Sequence, residues 1–593
     1  MIRLENVLQA YEGDFVPLSF DFSPERILES DRQEILRQAA AYGEQPYPPR
    51  LATGFLAFVR SGSRKADEDP YFFRRRKLCY ATLACFLGEK QYLDDVIDGI
   101  WCICEESSWV ISAHNVNVIP GAPRQEDYPL PDPARPYVDL FSAQTGMILT
   151  LVRQLLGESL DQVTPLLGQR ISQEIRRRIL DPCMTTDEFW WMGFLRKDLC
   201  NWTPWIVSNV MLCGLSEPLD QQTRNALMPR AFGMIDRWLD CVPEDGGCDE
   251  GAGYWNMAGG ALLDCLEMLE ESSGGKITFW GEEKIRNILS FPAKAEIGNG
   301  YFLNFADCDV RPYLSGERIQ TAGEKLGIPS LISLGGRLRT DPTTELSDVP
   351  HFIRMLKMLF HPAAPAADFQ PLSDIWLPDL QVRILRRGGW TLAAKGGHNG
   401  ESHNHNDVGS FMLYLDGQPE IVDAGNMTYT AKTFSHQRYE LWNTRTAYHN
   451  LPLLGGKEQL AGSEYRARGT ESLPEGLKLD LAAAYDPEAK VLSCLRTLTL
   501  TEEGANLSDE ILLAEAKPVT WVFLLRNQPI LTAEGLEAGG IQMRIPEGYQ
   551  TEWEEIPITD PRMARNWPGS LWRVRITDGS TEKHQACWQI RRK

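Results

Sequence analysis

The chain has 593 residues, 43% of them hydrophobic and 24% charged, and a formal net charge of −21. That length exceeds a single hydrophobic core and predicts two or three domains of ordinary globular composition. The acidic balance argues against general binding to nucleic acid or an anionic membrane, which needs a basic footprint. A polyanionic ligand would need a local basic groove. The short basic runs are Arg74-Arg75-Arg76-Lys77 and Arg176-Arg177-Arg178, the second reading as the solvated face of a helix. The N-terminal residues Met1 to Val7 lack the long apolar stretch of a secretory signal. No run of about eighteen apolar residues predicts a membrane span. The 13 cysteines are scattered without CxxC pairs, as reduced buried thiols are. A cytoplasmic protein is expected, or a periplasmic or secreted one if a leader has been removed.

Residues 1–365 read as helix after helix. Apolar residues recur at helical spacing over 139–155, 166–180, 206–215, 224–239 and 259–269, joined by short Gly/Pro/Asp loops with no strands between them. Paired helices without strands predict an α/α toroid or solenoid. Trp190, Trp191, Trp202, Trp205 and Trp255 crowd its later part. Most should be core, while tryptophan at the rim of a toroid is suited to stacking on sugar rings.

From His361 the stretch His361-Pro362-Ala363-Ala364-Pro365-Ala366-Ala367 reads as a linker, and beyond it the apolar period shifts toward two. Residues 366–593 therefore predict an antiparallel β-sandwich, with Asp416-Gly417 as a hairpin turn and a sub-boundary near residue 500. The overall expectation is an α+β multidomain chain.

The densest chemical signal lies in Gly396 to Asp407, where His398, His403 and His405 fall within eight residues. On a strand, a His-x-His pair points both rings to one face. Asp423 follows at the end of the next apolar run, and His449 lies in Ala447-Tyr448-His449-Asn450. Two histidines and a carboxylate with a fourth position open form a zinc-type ligand set. The same residues also fit a solvated loop and a capped turn.

A helical toroid followed by a β-domain carrying His403-Asn404-His405-Asn406-Asp407-Val408-Gly409-Ser410-Phe411 resembles the heparinase II/III family of polysaccharide lyases. Glu420 to Gly425 and Ala447 to Asn450 continue the likeness. So do Asp249-Glu250-Gly251-Ala252-Gly253-Tyr254-Trp255 and Asn201-Trp202-Thr203-Pro204-Trp205. The resemblance implies β-eliminative cleavage of a uronic-acid oligo- or polysaccharide of glycosaminoglycan type (heparin or heparan sulfate, chondroitin sulfate, hyaluronan), leaving a 4,5-unsaturated uronate. It makes Asn201 the neutraliser of the substrate carboxylate, helped by His398. Tyr254 is the proton-transfer residue, with His403 as complementary base. His405, Asp423 and His449 become ligands of a structural Zn2+ that fixes the loop bearing His403. Arg438 is a candidate for charge near Tyr254 or for the substrate's anionic groups, and Trp202 a candidate sugar platform. Each has a plain alternative: Asn201 as a helix N-cap, Tyr254 and Trp202 as core, His398 as a turn residue, Arg438 as a surface residue. His114 reads as a loop cap.

Two departures stand out. Some relatives place histidine directly after the neutralising asparagine, where this chain has Trp202, and many relatives carry a leader. The second departure suggests a preference for oligosaccharides or an exo mode. Competing readings are an alginate or other polyuronate lyase, a metal-dependent hydrolase with Glu401 or Asp407 as base, a cupin-like enzyme, and a carbohydrate-binding protein on a decayed lyase frame.

Overall fold

The computed structural model describes residues 2–115, 128–365, 371–372 and 374–593. They form two compact units: residues 1–242, 256–285 and 315–367, and residues 243–255, 286–314 and 368–593. Residues 366 and 367 of the linker-like stretch lie outside the described residues. The fold is an N-terminal α/α toroid followed by a C-terminal antiparallel β-sandwich.

The helical unit is built where the 3.6-residue period predicts it. The helix Leu140–Val163 starts at Asp139, whose carboxylate accepts the Ser142 amide at 2.7 Å. It packs on the helix Trp202–Ser216, almost wholly buried, and Gly146 leaves room for the Cys213 sulfur. The helices Gln221–Leu239 and Gly259–Ser272 follow. Among the described residues no helix is long and apolar enough to cross a membrane, and no disulfide is formed.

The run Arg74 to Lys77 is largely buried and forms no surface groove. Arg75 is fully buried and donates to Glu106 at 2.9 Å, Arg74 joins the same carboxylate at 3.1 Å, and Lys77 is buried beside Asp95. Of the run expected on a solvated face, Arg176 and Arg177 are exposed and Arg178 is buried. It pairs with Glu174 at 2.6 Å and lies 4.8 Å over the Trp109 ring. For Arg74 and Arg75 the buried carboxylate lies 32 and 31 positions away, out of reach of local periodicity, whereas Arg178 meets Glu174 one helical turn before it.

In the β-rich unit, strands Val382–Arg387, Trp390–Lys395, Phe411–Leu415 and Gln418–Ile421 run antiparallel in succession. Asp416 and Gly417 both take positive φ (49° and 71°) between the paired Leu415 and Gln418, the two-residue turn that twisted strands favour. Two long strands, Gly504–Leu525 and Ser570–Arg592, pair from Gly504↔Arg591 to Leu525↔Trp572 with slips near Lys517. Their inward residues Trp521, Phe523, Trp588 and Ile590 share one core with Leu392, Phe411 and Leu413. The expected boundary near residue 500 falls instead inside a hairpin, where Thr501 pairs with Gly504 and both strands lie in one sheet. Residues 243–255, read from sequence as part of the helical half, belong to the β-rich unit.

Candidate active site and metal centre

His405, Asp423 and His449 converge in the β-rich unit. All three are buried, and their ligand atoms lie within 4.8 Å of one another. Asp423 sits just beyond the strand Gln418–Ile421. Its carboxylate accepts the Gly425 amide at 2.9 Å and contacts His449 Nδ1 at 2.9 Å. Gly425 takes φ +67°, and a Cβ there would stand 2.5 Å from the Cys308 carbonyl oxygen, so only glycine fits. His449 follows the short turn Thr446–Tyr448. Burial opposes charge on Asp423, but His449 and His405 hold its carboxyl below the usual range, and Asp423 in turn raises His449 against its own burial.

Two ring nitrogens in this trio, His405 Nδ1 and His449 Nε2, are buried without a hydrogen-bond partner. A buried polar nitrogen left bare is costly, and an imidazole–imidazole–carboxylate set is what a zinc ion takes with one position open. The residues present therefore fit such an ion. It is the one group of its kind among the described residues.

A second group adjoins it in the same unit. Tyr254 lies in the 3-10 segment Ala252–Met257, and its hydroxyl is 2.8 Å from the Tyr429 hydroxyl. Tyr429 stands 3.3 Å from His403 Nδ1, and the Tyr254 and His403 rings are 5.1 Å apart. Glu250 approaches His403 Nε2 at 3.8 Å. Gly251, at φ +88°, brings this segment so close to Cys308 that a Cβ would lie 2.5 Å from the cysteine Cβ. Burial pushes the Tyr254 phenol well up, reinforced by Tyr429 and Glu250 against a weaker pull from Arg562. Burial and Asp307 raise Tyr429 as well. Both phenols thus hold their protons at neutral pH.

Between the two groups stands Asp307. Its Oδ2 contacts His403 Nδ1 at 3.0 Å and Arg438 Nη2 at 2.8 Å, and its Oδ1 contacts His405 Nε2 at 3.1 Å. Burial would raise this carboxyl, yet hydrogen bonds from His403 and His405 with the charges of His405 and Arg438 hold it far below the carboxylate range. Arg438 is not a solvent-facing cation. It is buried and donates to the carbonyls of His403 (2.7 Å), Asn404 (3.0 Å) and Thr433 (3.2 Å), all within its own unit. It supports the segment bearing His403, whose φ is +55°.

His398 lies on the two-residue strand His398–Asn399, its Nδ1 accepting the Gly400 amide at 3.1 Å, the turn role that was its plain alternative. Asn201 and Trp202 belong to the helical unit. Asn201 occupies the N-cap position of the helix Trp202–Ser216 without a side-chain cap bond, so capping does not explain it. Trp202 is half-buried, 5.0 Å from Trp190 and 4.7 Å from His114, whereas Trp191, Trp205 and Trp255 are core. His114 is tied to buried Asp139 at 2.7 Å and stacked on Phe141. Glu401 and Asp407, the bases a hydrolase would need, are bound to buried Lys395 at 3.2 and 2.8 Å.

Sequence reasoning missed Asp307, Tyr429 and Arg562. The available signals were slight: an acid closing the aromatic run Tyr301-Phe302-Leu303-Asn304-Phe305-Ala306, and a tyrosine six residues past Asp423.

A toroid and an antiparallel sandwich, the latter bearing a His/Asp trio beside a tyrosine–histidine group, define the class. Residues 370–581 match the family described as "Heparinase II/III-like, C-terminal". Among solved structures the chain is similar to a heparinase III (11% identity, 99% of this chain and 89% of that one, TM-score 0.65). It is also similar to the heparan sulfate lyase HepC from Pedobacter heparinus (13% identity, 99% and 86%, TM-score 0.59). A chondroitin AC lyase from Streptomyces coelicolor is a third likeness (12% identity, 95% and 83%, TM-score 0.50). No curated protein sequence matches the chain.

Proposed function

We propose that the protein is a polysaccharide lyase that cleaves uronic-acid glycans of the glycosaminoglycan type by β-elimination. The observation that carries this reading is the hydroxyl chain from Tyr254 through Tyr429 to His403, 2.8 and 3.3 Å link by link. Elimination needs a base for the C5 proton, a donor for the departing O4, and stabilisation of the carboxylate that gains charge in between. A phenol that still carries its proton at neutral pH cannot serve as the base but can donate, so Tyr254 delivers the proton to O4. His403 removes the C5 proton. Asn201 is assigned the carboxylate, to which its neutral amide donates without adding charge. The solved structures similar to this chain include lyases described as acting on heparan sulfate and chondroitin, which supports the substrate class.

In the same reading His405, Asp423 and His449 hold zinc. The ion would supply a fixed anchor for the loop that carries His403, leaving the proton transfers to the side chains. Hydrolysis is less favoured, because Glu401 and Asp407 are both bound to Lys395.

The test is a panel of heparan sulfate, chondroitin sulfate, hyaluronan and alginate, with their oligosaccharides, read by ultraviolet absorbance of the unsaturated uronate. A rise on one substrate class that vanishes in Tyr254→Phe is the expected result. New reducing ends without absorbance would replace elimination by hydrolysis.

A further inference from the structure

The proton transfers leave Arg562 without a role, although its guanidinium stands 5.0 Å over the Tyr429 ring. We propose that Arg562 reads the substrate by binding an anionic substituent, sulfate or carboxylate, on the sugar that departs with O4. This deepens the lyase reading and takes from it the orientation of the glycan at Tyr254.

Two carboxylates of the β-rich unit place the residue. Asp560 Oδ1 accepts the amides of Arg562 and Met563, each at 3.0 Å, where the one-turn helix Met563–Asn566 begins. The same oxygen accepts the Thr428 amide at 3.1 Å, across 132 positions of sequence. The turn bearing Arg562 is thereby tied to the backbone one residue before Tyr429. Asp309 takes the side chain, meeting Arg562 Nη2 at 3.2 Å and Nε at 3.4 Å, and it also accepts Asn566 Nδ2 at 2.8 Å.

That carboxylate does not use the cation up. A tight guanidinium–carboxylate fork closes at about 2.7–2.9 Å, and here both contacts are longer while Asn566 shares the acceptor. Among the described residues Nη1 meets no acceptor, and 26% of the side chain is open. A permanently charged guanidinium with an uncommitted N–H pair is a donor for an oxyanion. The other cations of the unit's site are spent. Arg438 is buried on Asp307 and three carbonyls, and Lys395 is buried on Glu401 and Asp407. A chain of net charge −21 must offer a polyanion a local cation.

The hydroxyl pair decides which sugar Arg562 meets. Tyr254 lies 2.8 Å from Tyr429, so a sugar whose O4 takes the Tyr254 proton sits beside the ring that carries Arg562 on its face. The uronate that loses its C5 proton faces His403 instead. Arg562 is near enough for its charge to lower both phenols against their burial.

The experiment uses three oligosaccharides that differ only in the departing sugar: unsubstituted, sulfated, or itself a uronate. Calorimetry measures their binding to Tyr254→Phe protein, in which turnover is blocked. The expected preference for an anionic over the unsubstituted sugar is about 10–100-fold. Tighter binding of the sulfated sugar names sulfate as the group read, and tighter binding of the uronate names carboxylate. Adding Arg562→Gln, with folding checked by its melting curve, should abolish that preference and leave affinity for the unsubstituted sugar within about threefold. Arg562→Lys keeps the charge, loses the fork, and should retain a smaller preference; it serves if the glutamine variant does not fold. Equal binding of all three sugars, binding of none by the folded protein, or a preference untouched in a folded Arg562 variant would overturn the proposal. Absence of unsaturated product from the wild type would sink the lyase reading by itself, while the binding ratios still decide Arg562.

Discussion

The trio His405–Asp423–His449 and the chain Tyr254–Tyr429–His403 share a loop and differ in nearly every physical respect. The trio is sealed, carries charge, and holds two nitrogens that no neighbour satisfies. The chain is joined by neutral hydroxyl contacts, and the His403 side chain keeps about a fifth of its surface open. A sealed charged cluster resists rearrangement, because separating its members leaves bare charge in a low-dielectric interior. Neutral hydroxyls at a partly open site can exchange partners when a ligand arrives. A rigid anchor and a reactive group can therefore stand two residues apart, provided the backbone between them is held. His403 at φ +55° and Arg438 on its carbonyl do that holding.

The comparison breaks most visibly at Tyr254. Tyr254→Phe removes the proton donor and is expected to lower kcat by about 10²–10⁴-fold, measured by absorbance of the unsaturated product, with zinc content and melting temperature unchanged. A shift in either would mean that the two groups are not separable. Asp423→Asn acts on the other side. It leaves His449 without its buried partner, at an expected cost of about 3–5 kcal/mol, read from urea denaturation together with loss of bound metal.

How much of this was legible in the sequence differs between the same two groups. The trio could be read, because ligand-type residues at His405, Asp423 and His449 punctuate apolar runs whose period announces strands. The helices could be read from their 3.6-residue period. Tyr254 was recognised, but its unit was not. It lies in a 3-10 turn between helices, and nothing local says that 243–255 packs with strands. Asp307 was invisible, since a single carboxylate has no period, and its partners lie 96, 98 and 131 positions away. Arg178 was read toward the surface with its exposed neighbours Arg176 and Arg177, because a charge looks solvated until its buried surroundings are known.

A finer test is Tyr429→Phe, which deletes one neutral hydrogen-bonding group of about 0.5–1.5 kcal/mol. It should cost roughly threefold to tenfold in kcat without moving zinc. The smallest effect expected is a control in the helical unit. Glu317, 2.9 Å from His361, raises that histidine above its ordinary value. A raised folded value stabilises below the unfolded pKa and fades as pH rises through the folded one. The melting-temperature gap between wild type and His361→Gln should thus be widest near about pH 5.5 and shrink on the alkaline side. An unchanged gap across that range would remove the pair from the stability of the unit.

The chain enters the β-rich unit at 243–255, leaves it, returns at 286–314, and leaves again before 368–593. A single cut at residue 370 would therefore yield a fragment with His403, His405, Asp423 and His449, yet neither Tyr254 nor Asp307. Such a protein cannot exchange its chemistry by shuffling one terminal cassette. A recombinant that borrowed the C-terminal segment alone would inherit the His405–Asp423–His449 trio and Tyr429 without the carboxylate that joins His403 to His405, so the two interleaved segments have to travel through evolution together with the sheet they complete.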